Sequence, residues 1–131
     1  MRDNEGNGKL VLVVEDNPAN MELAADLLEV AGYRVVQATT AEAALDVATE
    51  EHFDVILMDI SLPGMDGLTA VRRLKQDPRT AGIPVVALTA QALPEDREQA
   101  ATAGCAGYIV KPIDTRRFAE TVGQFIRKEG G

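Results

Sequence analysis

One cysteine, one histidine and a shortage of basic side chains set the first limits on what this chain can do. A lone thiol excludes an internal disulfide, and the apolar neighbours of Cys105 mark it as a structural group rather than a reactive one. His52, beside Glu50 and Glu51 at the end of an expected helix, reads as a surface residue rather than a catalyst. Thirteen Lys and Arg stand against 21 Asp and Glu, a net charge of −8. A balance of that sign opposes binding to a phosphate backbone, which needs a basic face to displace counterions, so direct binding to DNA or RNA is not expected. No apolar run approaches the ~20 residues needed to span a bilayer, and the first eight residues carry no apolar signal core. Repeats, low-complexity tracts and linkers are also missing. With 46% hydrophobic and 26% charged residues in 131, the expectation is one soluble, cytoplasmic domain with a single core. It is expected to occupy residues 9–128, between flexible tails at 1–8 and 129–131.

What the chain does contain is a strict alternation of two patterns. Leu10–Val14, Val55–Met58 and Val85–Leu88 are short, nearly continuous apolar runs, the signature of strands buried on both faces. Arg34–Ala38 is a mixed run suited to a sheet edge, and Tyr108–Val110 is a fifth strand. Helical spacing fills the gaps. Met21, Ala24, Leu28 and Ala31 form one stripe of the first helix, and Leu23, Leu27 and Val30 a second. Thr39 with Glu42 forms a capping box for a helix that runs to about Glu51, with Ala44, Leu45 and Ala48 inward. Leu68, Val71 and Leu74 mark the third helix. Pro94 opens a fourth, poor in large apolar residues, whose inward positions are Ala100, Ala101 and Ala103. Because it buries so little, that helix is the natural candidate for movement. The last is expected to be capped by Asp114, with Phe118, Val122, Phe125 and Ile126 inward. Alternating strands and helices require right-handed crossovers and a parallel sheet covered on both faces. Ligands of such open sheets bind at the carboxyl ends of the strands.

Four of the five strands end there in polar residues: Glu15 and Asp16, Asp59, Thr89 and Lys111. Crowded carboxylates repel one another unless they share a cation, and a hard divalent ion with oxygen ligands is what Mg²⁺ prefers. A hydroxyl and an ammonium beside a metal-bound carboxylate suit the oxygens of a phosphoryl group. A carboxylate can itself be the nucleophile that receives it.

Glu15-Asp16-Asn17 after the first strand, Met58-Asp59-Ile60 with Leu62-Pro63-Gly64-Met65-Asp66-Gly67 after the third, Thr89-Ala90 after the fourth and Lys111-Pro112 after the fifth resemble the receiver domain of bacterial response regulators. The likeness spans roughly residues 9–127 and implies a CheY-like, flavodoxin-like (βα)5 three-layer sandwich, with strand order 2-1-3-4-5. It further implies that Asp59 accepts a phosphoryl group from a sensor histidine kinase or a histidine phosphotransfer protein. Mg²⁺ or Mn²⁺ would be held by Asp16, by Asp59, by the backbone carbonyl of Ser61 and by Glu15 through a water. Lys111 would contact the phosphoryl oxygens, with its bond to Pro112 in the cis form, while Thr89 and Tyr108 would form the switch. Ser61 and Gln91 flank the site and vary in the family.

The stretch Gly104–Ile109 with Lys111-Pro112-Ile113 is similar to single-domain regulators of the DivK type. The resemblance therefore implies an output through another protein, as a monomer or weak dimer. A Mg²⁺-dependent phosphatase or phosphotransferase with an aspartyl nucleophile is the alternative. It ranks lower because Ser61 stands where such enzymes place a second acid, and because no cap insertion encloses a small substrate. A nucleotide or flavin carrier lacks its Gly-rich loop here. A degenerate receiver is disfavoured by the presence of every acceptor-site residue.

Overall fold

The computed structural model describes residues 8–62, 64–90 and 93–126. The expected tails at 1–8 and 129–131 lie outside them apart from Gly8, as does Gln91. Ten elements follow one another: β1 (Leu10–Val14), α1 (Pro18–Val30), β2 (Arg34–Ala38), α2 (Ala41–Ala48), β3 (Val55–Asp59), α3 (Gly67–Gln76), β4 (Val85–Thr89), α4 (Pro94–Ala103), β5 (Gly107–Val110) and α5 (Phe118–Phe125). The five strands form one parallel sheet in the order β2-β1-β3-β4-β5. This is the flavodoxin-like three-layer sandwich expected from the sequence, with β2 at an edge.

Alternation along each strand splits the core in two. Leu12, Val14, Ile56, Met58 and Val85 face α2 and α3, whereas Val11, Val13, Val55, Leu57, Val86 and Leu88 face α1 and α5. Every residue of β1, β3 and β4 is buried, which explains their unbroken apolar character.

The helices correct several expectations. α1 buries Met21, Ala24, Ala25 and Leu28, and its second stripe is only partly engaged: Leu27 is half-buried against the core, whereas Leu23 is 37% and Val30 88% exposed. Small residues at 24 and 25 let the helix lie close to the sheet, and this fixes which flank goes in. Leu45 and Phe125 are only half-buried, and Ala101 is exposed. α5 starts at Phe118 with no side-chain cap. Asp114 instead closes the turn before it, its carbonyl accepting from the Arg117 and Phe118 amides and its carboxylate from the Arg116 amide.

α2 stops at Ala48, three residues short of Glu51, and leaves His52 exposed in the following loop. Its cap is Thr40 rather than Thr39, with Oγ1 accepting from the Ala43 amide at 3.0 Å. Thr40→Ala is expected to lose about 1 kcal/mol of unfolding free energy, and Thr39→Ala almost none, in parallel urea titrations.

Cys105 is half-buried, and burial pushes its thiol up to about 11 from an ordinary value of 9.0, with Lys75 opposing. A raised acid favours the protonated folded state. Its contribution to stability is therefore complete below about pH 9 and is lost as the pH rises toward 11. At pH 8 the folded protein is expected to react with iodoacetamide roughly a hundredfold more slowly than the urea-unfolded chain. Equal rates would show that Cys105 is open to solvent.

Candidate functional site

Because β1 and β3 are adjacent, with Val14 beside Met58, their polar extensions emerge side by side. Asp59 lies next to Leu88 of β4, and Thr89 next to Val110 of β5, so the four strand ends form a continuous rim. Backbone bonds hold that rim together. The Ile60 amide donates to the Leu88 carbonyl at 3.1 Å, and the Lys111 amide to the Thr89 carbonyl at 2.7 Å. Gly67 closes the wall below Asp59. A Cβ there would overlap the Asp59 carbonyl oxygen and come within 2.6 Å of the Ile60 Cα, so the start of α3 abuts the end of β3. Asp66 caps that helix by accepting from the Thr69 amide at 2.8 Å.

Glu15, Asp16 and Asp59 bring carboxylate oxygens within 4.8 Å of one another, Glu15 and Asp59 buried and Asp16 exposed. Lys111 lies between two of them. Its Nζ donates to Glu15 Oε1 and to Asp59 Oδ2, each at 3.1 Å. The remaining oxygens are also engaged, since the Asn17 amide donates to Glu15 Oε2 at 3.2 Å and the Ser61 amide to Asp59 Oδ1 at 2.8 Å. Burial pushes the Glu15 carboxyl upward, partly offset by Lys111. Burial alone would pull the Lys111 ammonium down. Its bonds to Glu15 and Asp59 outweigh that pull, and the net shift is upward. Lys111 thus stays charged at neutral pH and serves as the cluster's own counter-ion.

Thr89 is buried at the end of β4, and the Lys111-Pro112 bond is cis. Tyr108 is half-buried on β5, and the Arg97 guanidinium of α4 sits 5.0 Å from the centre of its ring. No motif pointed to Arg97, because only the strand order and the phase of α4 bring it over Tyr108. Beside the carboxylates, a groove of about 340 Å³ runs along α1, lined by Met21, Glu22, Ala25, Asp26 and Glu29.

Residues 11–123 match the family model of the response regulator receiver domain. The chain belongs to that family. As a receiver domain it is a signalling module of two-component systems rather than a conventional enzyme. It is 45% identical over 118 residues to the polar-differentiation response regulator DivK of Brucella ovis, a match covering 90% of this chain and 96% of DivK. Among solved structures it resembles the chemotaxis protein CheY4 of Vibrio cholerae, with a TM-score of 0.87 and 28% identity. That alignment spans 91% of this chain and 99% of CheY4. The receiver domain of a Pseudomonas aeruginosa sensor histidine kinase gives a TM-score of 0.83 at 35% identity, covering 90% of this chain and 97% of that one. It carries a magnesium ion coordinated in its active-site cleft. In this receiver domain the acidic donors suit the same hard ion: three carboxylates from two adjacent strand ends, one of them open to solvent.

Proposed function

We propose that this receiver domain is a DivK-like single-domain regulator that takes a phosphoryl group onto Asp59 and switches its contacts with another protein. The observation that carries the reading is Lys111 Nζ poised between Glu15 and Asp59, with Asp16 facing the same point. Asp16, Asp59 and the Ser61 carbonyl would hold Mg²⁺, or Mn²⁺, and Glu15 would reach it through a water. When bound, the ion neutralises charge on the transferring phosphoryl oxygens.

An oxygen of the Asp59 carboxylate attacks the phosphorus of a phosphohistidine carried by a sensor histidine kinase or a phosphotransfer protein. The P–N bond breaks, its electron pair returns to the imidazole, and a P–O bond forms on Asp59. Lys111 follows the negative charge from the free carboxylate to the phosphoryl oxygens. The Thr89 hydroxyl supplies a further donor, and its movement frees the space that the Tyr108 ring enters. The match covers 96% of DivK, which supports the DivK-like reading; action on a protein effector, as a monomer or weak dimer, is part of the same proposal. A cytoplasmic location belongs to the same proposal, by the likeness to DivK; among the described residues no helix is long and apolar enough to cross a membrane.

Incubation with acetyl phosphate tests the acceptor. The expected intact mass shows one added phosphoryl group in the presence of Mg²⁺, far less in EDTA, and its removal by hydroxylamine as an acyl phosphate. No adduct, or one that survives hydroxylamine, would overturn the assignment.

A further inference from the structure

α4 is held to the domain unevenly. Its buried residues are Ala100 and Ala103, whereas α3 buries Val71 and Leu74, and α1 buries Met21 and Leu28. One turn before Ala100 on the same inward stripe stands Asp96. Its Oδ2 is sealed from solvent and has no hydrogen-bond partner among the described residues. A carboxylate oxygen stripped of water and given nothing in return weakens the state that buries it. The start of the helix has no compensating cap, because Leu93 at that position supplies no side-chain bond. Two features resist. Arg97, the next residue, lies over the Tyr108 ring, an attraction of the cation–π kind. At the far end Gly104, at φ 114°, closes the helix by donating its amide to the Ala100 and Ala101 carbonyls. The two ends therefore differ: the carboxyl end is fastened, while the amino end carries an opposed pair, Asp96 loosening and Arg97 tightening.

We propose that Asp96 is a built-in destabilising group that keeps the first turns of α4 poised to leave the body of the domain, with the Arg97–Tyr108 stack as its counterweight. Swapping the carboxylate for a methyl group completes an alanine stripe at 96, 100 and 103 and removes the buried unpaired oxygen. Removing the guanidinium leaves the loosening group unopposed. Adjacent substitutions on one helix should then act in opposite directions. The poise itself is a property of the unphosphorylated chain; its use in signalling rests on the switch reading above.

Amide hydrogen exchange on the full, unphosphorylated chain without Mg²⁺ tests it. Asp96→Ala is expected to raise protection of the α4 amides about tenfold and the melting temperature by roughly 3–6 °C. Asp96→Asn, which keeps a polar oxygen without the charge, should fall between. Arg97→Ala should lower α4 protection, and Glu95→Ala, on the exposed side of the same turn, should not raise it. Protection unchanged or lowered in Asp96→Ala, or a failure of that variant to fold with no gain in Asp96→Asn, would overturn the proposal. A second arm adds beryllofluoride and Mg²⁺. If Asp96→Ala gains protection while wild-type α4 shows no response to beryllofluoride, the poise stands and the switch reading falls.

Discussion

Asp59→Asn is expected to abolish labelling by acetyl phosphate while leaving the fold intact. The substitution keeps the shape of the side chain and an oxygen able to accept the Ser61 amide, which in the wild type lies 2.8 Å from Oδ1. What it removes is the anionic nucleophile, and a neutral amide oxygen does not form an acyl phosphate. The loss should therefore be complete within detection by intact mass, not a matter of a few fold. The fold should also gain slightly. Replacing one of two buried carboxylates that share Lys111 relieves crowding with Glu15. Full labelling of this variant would move the acceptor elsewhere, and the neighbouring carboxylates Glu15 and Asp16 would be tested next.

The second large effect is expected from Lys111→Ala. Removing it leaves Glu15 and Asp59 buried and facing one another without a cation. Stripping one partner from a buried pair is costly, and because the lysine side chain is itself 17% exposed we place the loss at about 2–3 kcal/mol, below the fully buried range. For a domain of this length that lowers the melting temperature by roughly 6–12 °C at pH 7 in EDTA. Two further signs distinguish this cause from simple loss of packing. Burial already raises the Glu15 carboxyl, and without Lys111 it rises further. The penalty should then shrink as the pH falls into the raised range of Glu15 and that carboxyl takes up a proton. Mg²⁺ should also restore most of the lost stability and bind about tenfold more tightly than to wild type, since no ammonium competes for the same oxygens. A variant as stable as wild type in EDTA would show that the two carboxylates do not depend on Lys111. Equal Mg²⁺ affinity would show that Lys111 and the ion do not share a site.

The strands were legible because burial on both faces leaves a plain mark, an unbroken run of Val, Leu, Ile and Met, and their polar termini announced the rim. The order of the strands was not written in any periodicity; the likeness to receiver domains supplied it. Helix existence was legible, helix phase less so. In α1 two apolar stripes competed, and the winner was set by Ala24 and Ala25, whose small size permits close approach to the sheet, not by the larger Leu23 and Val30. Adjacent threonines made the cap of α2 ambiguous by one residue. Within the site, the residue types were readable but their pairing was not. That Lys111 bridges Glu15 and Asp59, 96 and 52 residues away in sequence, follows only once β1, β3 and β5 take their places. Asp96 is one of two acids in the first turn of α4, a position the helix dipole favours; its isolation appears only when the stripe is docked.

The glycine at position 67 has a mechanical consequence. With no side chain to cushion the contact, α3 rides directly on the backbone that carries Asp59, and that flank of the pocket is stiff. The neighbouring helix α4, packed beside α3 on the same face of the sheet, is the one proposed above to yield. A disturbance at Asp59 is therefore not absorbed by the backbone contact with α3; on the reading above it is relieved at α4.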